Sequence, residues 1–189
     1  GLNITAAERV LCVADGASWI WRRVPGLLKS LGLAAEQTQQ LIDFWHAVEY
    51  LGKLADSVRL TGATKKRWLT TQKERLLRGE IGAVVEELKS LVGSRPTQEQ
   101  RTWLNYFVTH GLTHRRMDYA RARSHHLPIG SGAIESAIRR VINLRVKSNA
   151  VYWLRENAET IIRIRAWLKA GRAAELFQHT TCVTPETAL

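Results

Sequence analysis

The sequence predicts an α/β protein that is predominantly helical, with two short strands near its N terminus. Two short apolar runs each lead to an aspartate, and from residue 64 onward apolar residues recur at three- and four-residue steps. Composition agrees, because 45% of the 189 residues are apolar, which is enough to bury the core of about one domain. Intrinsic disorder is therefore not expected.

The first strand is predicted at residues 9–14, RVLCVA, where a Val-rich run without helical periodicity stops at Asp15-Gly16. Such a run is typical of a strand buried on both faces of a parallel sheet. Asp15 then lies at the carboxyl end of the strand, where open α/β sheets place their ligands. A shorter strand is predicted at residues 40–43, QLID, and leads directly into a helix. Between the strands lies a helical stretch that Pro25-Gly26 should interrupt.

Residues 64–126 are predicted to be helical throughout. Residues 115–123 indicate a short and very basic helix, and residues 127–132, LPIGSG, break the pattern before two final helices. The tail from His179 is expected to fray. One long helix, ended by the GSRP run at 93–96, should bury a single apolar face made of Leu77, Ile81, Val84, Val85, Leu88 and Leu91.

The charge of the chain points to an acidic partner. Lys and Arg number 28 against 17 Asp and Glu, a formal net charge of +11, and residues 101–172 hold 14 basic and 4 acidic groups. Nucleic acid is the commonest partner of such a surface, with anionic membranes and acidic proteins as alternatives. No apolar run approaches the roughly 20 residues that span a bilayer, and two isolated cysteines do not suggest a disulfide or zinc site. We expect a soluble, intracellular protein.

Two acidic residues are candidates for a metal site. The carboxylate of Asp15 could hold a divalent cation, which prefers oxygen ligands, although an ordinary Asp-Gly turn is the alternative. Glu135 follows the run GSG at residues 130–132, in which Ser131 can cap the next helix. Glu135 could complete a cluster with Asp15, or it could simply complement the helix dipole and pair with Arg139.

Two further sets of residues are candidates for binding and support. Asp43 and His46 lie three residues apart at a helix start and could touch, with an N-cap aspartate and a packed histidine as ordinary alternatives. A basic stretch with interleaved aromatic residues is typical of nucleic-acid binding, in which arginines grip phosphates and an aromatic ring stacks on a base. The alternative is a solvated helix face with a core tryptophan. The members of this stretch are Arg139, Arg140, Arg145, Lys147, Tyr152, Trp153 and Arg155.

Taken together and in this order, four segments resemble the catalytic region of bacterial insertion-sequence DDE transposases of the Kra type. They are VADGASWIW, LIDFWHAVEYL, LPIGSGAIESAIRRVINLRVK and WLRENAETIIRIRAWLKAGR. The chain is more distantly similar to Mutator-like and hAT transposases. The resemblance covers residues 10–172 and implies a partial RNase H-like core with an inserted helical region. On this basis residues 1–60 are core strands and helices, 61–126 the insertion, 127–178 the last core helices and 179–189 a tail.

The resemblance also implies an activity and its residues. The full protein would cleave DNA and join strands with three acids that hold two Mg²⁺ or Mn²⁺ ions. Asp15 matches the second acid and Glu135 the third, while Asp43 and His46 match a (C/D)xxH element with a catalytic histidine. Asp43 and Ser131 would support the metal ligands without binding the metal. The implied partners are transposon ends, target DNA and further copies of the chain, in the bacterial cytoplasm at the nucleoid.

Two positions depart from the family's pattern. The first acid should lie on an earlier strand, yet only Glu8 precedes Asp15, so we expect a C-terminal fragment that is inactive by itself. Residues 149–151, NAV, stand where a Gly-Met pair is expected before the aromatic residue at Trp153. Two alternatives follow: a noncatalytic basic module or inactive transposase remnant that only binds nucleic acid, and a metal-dependent nuclease of another family.

Overall fold

The computed structural model describes residues 3–147 and 152–181. The chain divides into two compact units, a first unit of Gly1–Ser131 and a second unit of Gly132–Leu189. The architecture is predominantly helical with a two-stranded parallel sheet, which agrees with the predicted α/β class. None of the described helices is long and apolar enough to cross a membrane.

Both predicted strands are present and pair with each other. β1 is Val10–Ala14 and β2 is Thr38–Ile42, which begins two residues earlier than predicted. The strands run parallel, with Ala14 paired to Ile42 at their ends. Parallel strands end at the same edge of a sheet, so Asp15 and Asp43, which follow the two strands, both lie at that edge.

The crossover between the strands contains α1, Ser18–Ser30, and a 3₁₀ turn at Ala35–Gln37. The predicted interruption at Pro25-Gly26 is wrong, because α1 continues through both residues. A proline inside a helix removes one hydrogen bond to the preceding turn. Burial of Trp21 and Val24 on the same helix offsets that loss.

The helix after β2 is confirmed as α2, Phe44–Ser57. It packs one face into the core of the first unit, and the spacing of that face is helical. Its buried residues are Phe44, Ala47, Leu51, Leu54 and Ala55.

The helical middle of the chain is confirmed with two corrections. The predicted single helix is two helices, α3 at Gly62–Leu77 and α4 at Ile81–Val92. Gly79 separates them with a φ of 78°, a conformation that favours glycine and ends α3. The predicted basic helix at 115–123 is shorter, because α6 spans only Tyr119–Ser124 after Asp118 caps its N terminus.

The remaining middle helix joins these elements into one core. α5, Gln98–Tyr106, continues into a π-helical segment, Phe107–Thr113. Side chains of this region are buried together with those of β2 and α2, so the helical middle and the sheet belong to the same unit. The middle contributes Leu76, Val84, Val85, Leu88, Tyr106, Phe107, Met117, Tyr119 and Ala122.

The second unit is entirely helical in its described part. It contains α7 at Gly132–Ile138, a π-helical segment at Arg139–Asn143, α8 at Leu144–Val146, α9 at Arg155–Lys169 and α10 at Ala173–Thr181. None of its described side chains is fully buried. α10 extends to Thr181 and so includes the first three residues of the tail that was expected to fray. Residues 182–189 lie outside the described part.

Candidate functional site

The end of the sheet brings Asp15 and Asp43 to neighbouring positions. The backbone N–H of Asp43 donates to the carbonyl oxygen of Ala14 at 2.9 Å. Oδ1 of Asp15 accepts the backbone N–H of Ala17 at 2.9 Å, so the ordinary Asp-Gly turn is present. Oδ2 of Asp15 accepts no hydrogen bond from residues 3–147, which leaves one hard oxygen donor for a ligand.

The Asp15 turn is held in place by aromatic side chains. Nε1 of Trp21 donates to the carbonyl oxygen of Asp15 at 2.7 Å. A Cβ atom on Gly16 would lie 2.1 Å from the ring of Tyr106, a distance that no side chain can adopt without displacing that ring. The glycine is therefore required by packing against the ring of Tyr106.

Behind the turn lie two buried ionisable rings that the sequence did not single out. Burial raises the pKa of Tyr106, and nearby Tyr50 and Asp15 raise it further, so the hydroxyl stays protonated. This hydroxyl group has no hydrogen-bond partner among the described residues. Burial and then the charge of Arg116 lower the pKa of His110, which makes its imidazole neutral at pH 7. The one-turn spacing from Tyr106 to His110 is the sequence signal that could have indicated this layer.

The Asp15 turn forms one wall of a cleft of about 340 Å³ on the first unit. The opposite wall is one face of α2, which carries His46. The side chain of His46 is 43% exposed, so it is only partly packed. The structure thus brings Asp15 and His46 into the same cleft. The lining residues are Asp15, Gly16, Ala17, His46, Glu49, Tyr50 and Lys53.

Glu49 and Lys53 are cleft residues that sequence analysis missed. Nζ of Lys53 lies 2.8 Å from Oε1 of Glu49, and Nδ1 of His46 lies 3.6 Å from Oε2 of the same carboxylate. The hydrogen bond and charge of Lys53 lower the pKa of Glu49. The spacing of Glu49 three residues after His46, and of Lys53 four residues after Glu49, could have revealed them.

Asp43 supports the edge of the sheet with both of its carboxylate oxygens. Oδ1 accepts the backbone N–H groups of Trp45 at 2.7 Å and His46 at 3.2 Å, so Asp43 is the N-cap of α2. Its contact with His46 is therefore to the backbone and not to the imidazole. Oδ2 accepts the backbone N–H of Ser131 at 2.6 Å.

Hydrogen bonding controls the ionisation of Asp43. Desolvation alone would raise its pKa, but hydrogen bonds from the hydroxyl and N–H of Ser131 and from the N–H groups of α2 together lower it. The carboxylate is thus ionised at neutral pH, and its oxygens are already used. Its predicted role of supporting a site without binding a metal stays a prediction.

The loop before Glu135 is fixed at the same edge. The N–H of Phe44 donates to the carbonyl oxygen of Ile129 at 2.9 Å. A Cβ atom on Gly130 would lie 3.2 Å from the ring of Trp45, so the loop approaches α2 closely. Together with the bond to Ser131, these contacts dock the end of the first unit beside the strand ends. Glu135 lies in the first turn of α7, four residues along the chain from Ser131, and is exposed.

The predicted nucleic-acid-binding residues lie in the second unit. Trp153 is 39% exposed and Tyr152 is 95% exposed, so neither is a core aromatic within the described part. Nε of Arg155 lies 3.1 Å from Oε1 of Glu159, an exposed ion pair of the kind that contributes little to stability. The side chain of Arg145 lies outside the described part. Of the basic residues in the predicted stretch, those with a described and exposed side chain are Arg139, Arg140, Lys147 and Arg155.

The donor set for a metal is incomplete within the described residues. No group of three or more His, Cys, Asp or Glu side chains that could hold a metal ion occurs among residues 3–147 and 152–181. Asp15 supplies one suitable oxygen at the edge of the sheet. Comparison of the chain with protein-family models, curated proteins and solved structures found no match.

Proposed function

We propose that this chain is part of the RNase H-like catalytic domain of a DDE transposase of the Kra type, with Asp15 and Glu135 as two of its acids. The observation that carries the proposal is the 2.6 Å hydrogen bond from the N–H of Ser131 to Oδ2 of Asp43. It ties the loop that leads into the Glu135 helix to the strand end beside Asp15. Glu135 follows Ser131 by four residues in the sequence.

The donor chemistry of these residues fits Mg²⁺ or Mn²⁺. Asp15 and Glu135 would hold the ion through carboxylate oxygens, the ligands that hard cations prefer. When bound, such an ion activates an attacking hydroxyl group and stabilises the leaving oxygen of a phosphodiester. The family's first acid has no match among residues 1–14 other than Glu8.

The other residues of the cleft orient groups rather than bind the cation. Asp43 holds the strand end and the Ser131 loop in place. His46 lines the cleft from the first turn of α2, and its Nδ1 lies 3.6 Å from Oε2 of Glu49. In this proposal its imidazole contacts a DNA phosphate. Packing of Gly16 against Tyr106 keeps the Asp15 carboxylate from moving when DNA binds.

The basic face of the second unit supplies the DNA contacts in this proposal. Its exposed arginines neutralise backbone phosphates, and Trp153 stacks on a base that leaves the duplex. The substrates are transposon ends and target DNA, bound by one or more copies of the chain in the bacterial cytoplasm at the nucleoid.

The test is nicking of supercoiled plasmid DNA in Mn²⁺ by the protein that contains this chain. Asp15→Ala and Glu135→Ala should each lower the nicking rate by at least about 100-fold, because each removes a metal ligand. Matched controls are Asp56→Ala and Glu156→Ala, which remove an exposed acid of the same type from the same unit. These should keep the parent rate. Equal nicking by all five proteins would contradict the assignment.

The second candidate is a noncatalytic module that only binds nucleic acid. It is favoured by one observation, the use of Oδ1 of Asp15 in an ordinary turn. This candidate predicts that the parent binds plasmid DNA without nicking it, and that Asp15→Ala and Glu135→Ala leave binding unchanged. The same experiment therefore separates the two functions.

A further inference from the structure

A second polar cavity of about 520 Å³ lies on the first unit, along the beginning of β2. Asp43 follows the other end of β2 and lies five residues after Thr38. A strand rises about 3.3 Å per residue, so the two residues are about 16 Å apart. The cavity is thus separate from the Asp15 cleft. Its lining residues are Ala35, Thr38, Gln39, Gln40, His114, Arg115, Arg116, Asp118 and Arg121.

At the back of this cavity lies a buried arginine without an acidic partner among the described residues. Arg116 is only 8% exposed. Its Nε donates to Oε1 of Gln40 at 2.9 Å, its Nη1 lies 3.4 Å from Nδ1 of His110, and its guanidinium stacks 4.5 Å from the centre of the Trp21 ring. All of these partners are neutral, since the lowered pKa leaves His110 uncharged.

A buried charge of this kind is costly unless an opposite charge compensates it. Within residues 3–147 and 152–181, no carboxylate lies within ion-pair distance of the guanidinium of Arg116, Arg115 or Arg121. The acid in the lining, Asp118, accepts the backbone N–H of Arg121 at 3.0 Å and caps α6. Three arginines therefore face one aspartate, and the cavity has an excess of positive charge.

The backbone at the rim is also under strain. Arg115 has a φ of 53°, a left-handed conformation that is unfavourable for a residue with a side chain. Such strain persists where the surroundings hold it, which is typical of ligand clamps. The next residue explains the constraint, because the carbonyl oxygen of Arg116 accepts the N–H of Ile42 at 2.7 Å and fixes this segment against β2.

We propose that this cavity binds a phosphate group, with Arg116 at its back and Arg115 and Arg121 at its rim. Guanidinium groups match phosphate oxygens in pairs, and the amides of Gln39 and Gln40 offer further donors. The choice of a DNA backbone as the source of the phosphate rests on the proposed function. B-DNA rises 3.4 Å per base pair, so a duplex cut at the Asp15 cleft carries backbone phosphates about 16 Å away.

The test uses the whole chain, without metal, and two probes: inorganic phosphate and a fluorescein-labelled 20-base-pair duplex. The rim variant combines Arg115→Gly with Arg121→Ala and removes both rim charges. Glycine accepts the positive φ at position 115 and alanine favours the helix at position 121, so folding should be retained. The control is Arg22→Ala with Arg23→Ala, which removes two exposed charges from α1 of the same unit.

The rim variant should bind the duplex at least 5-fold more weakly than the control at 0.1 M salt. Its plot of log K against log salt should be less steep by about 1–2, since each lost phosphate contact reduces the magnitude of the slope by about 0.9. Phosphate should raise the melting temperature of the parent and the control but not of the rim variant. Phosphate stabilisation with unchanged duplex binding would show a site for free phosphate and overturn the DNA source alone. Equal behaviour of rim variant and control with both probes would overturn the site.

Because the binding buffer contains no metal, this result does not depend on Asp15 or Glu135. Nicking that is unchanged in Asp15→Ala and Glu135→Ala, together with an intact phosphate site, would refute the proposed function only. Nicking that depends on Asp15 and Glu135, together with equal binding by the rim variant and the control, would refute this inference only.

Discussion

The two units place their apolar side chains in opposite ways. The first encloses a core in which residues such as Leu51 and Phe107 are fully buried, whereas the second has no fully buried side chain in its described part. Large apolar residues of the second unit remain about half exposed, including Ile134 and Leu168. The first unit therefore has the packing needed to fix a cleft, whereas the described side chains of the second unit remain at least partly exposed.

Their arginines differ in the same way. Arg116 of the first unit is buried among neutral partners, while Arg140 of the second is exposed. One arginine of the second unit is nevertheless structural, because Nε of Arg165 donates to the carbonyl oxygen of Val141 at 3.0 Å and its Nη2 donates to that of Arg140. Residue type alone thus does not separate binding from structural roles, and contacts do.

The largest expected effect contrasts the two units directly. Leu51→Ala should lower the free energy of unfolding by about 2–5 kcal/mol, because it opens a cavity in a closed core. Leu168→Ala should cost less than about 1 kcal/mol, since its side chain is already 48% exposed. Urea denaturation measures both. A similar loss in the two variants would mean that the second unit is packed as tightly as the first.

The next effect tests whether packing fixes the Asp15 turn. Gly16→Ala should lower stability by about 1–3 kcal/mol, because the added methyl group collides with the ring of Tyr106. Gly26→Ala is the matched control: it lies within α1, has nothing within 4 Å of the added atom, and should raise stability by about 0.5–1 kcal/mol. An unchanged or increased stability of Gly16→Ala would show that the turn tolerates a side chain.

The third effect depends on pH. The folded pKa of Asp43 is lowered, so its contribution to stability is complete above its unfolded pKa, near pH 4, and is lost as the pH falls through the folded value. Asp43→Asn should cost about 1–3 kcal/mol at pH 7. The difference from the parent should shrink from pH 5 toward pH 2. The control is Asp56→Asn, which changes an exposed residue and should alter stability by less than about 0.5 kcal/mol. If Asp43→Asn lost the same stability at every pH, the charge of Asp43 would have no role.

The smallest effect on stability separates two arginines of the second unit. Arg140→Ala should leave the melting temperature unchanged and reduce the salt slope of duplex binding by about 0.9. Arg165→Ala should instead lower stability, because it removes the donor that joins α9 to the π-helical segment. Thermal melts and anisotropy titrations measure the two outcomes. Unchanged binding in Arg140→Ala would remove it from the nucleic-acid surface.

The sequence predicted the elements that depend on local pattern. Both strands, α2 and the break at 127–132 follow from apolar runs, helical spacing and glycine, and the structure has them all. The errors came from tertiary packing: α1 passes through Pro25 because its buried face stabilises it, and Gly79 divides a stripe that looks continuous in sequence.

The site was predictable to a similar extent. Asp15 and His46 were identified as candidates, and they share a cleft. Their partners Glu49 and Lys53 were not identified, although their three- and four-residue spacing on α2 could have indicated them. The buried Arg116 could not be identified, because its burial depends on which faces of distant elements meet, and such contacts leave no repeat or motif in the sequence.

The central claim is that Asp15 and Glu135 belong to one metal site. Mn²⁺ titrated into the ¹⁵N-labelled chain broadens the amide signals of residues near a bound ion even when binding is weak. The claim predicts joint broadening around Gly16 and Ser136, and its loss at both places in Asp15→Asn and in Glu135→Gln. Glu49→Gln is the control and should keep both.

If Asp15→Asn removes broadening only around Gly16 while the signals near Ser136 still broaden, the two acids bind Mn²⁺ separately. That result would contradict the shared site and the transposase assignment with it.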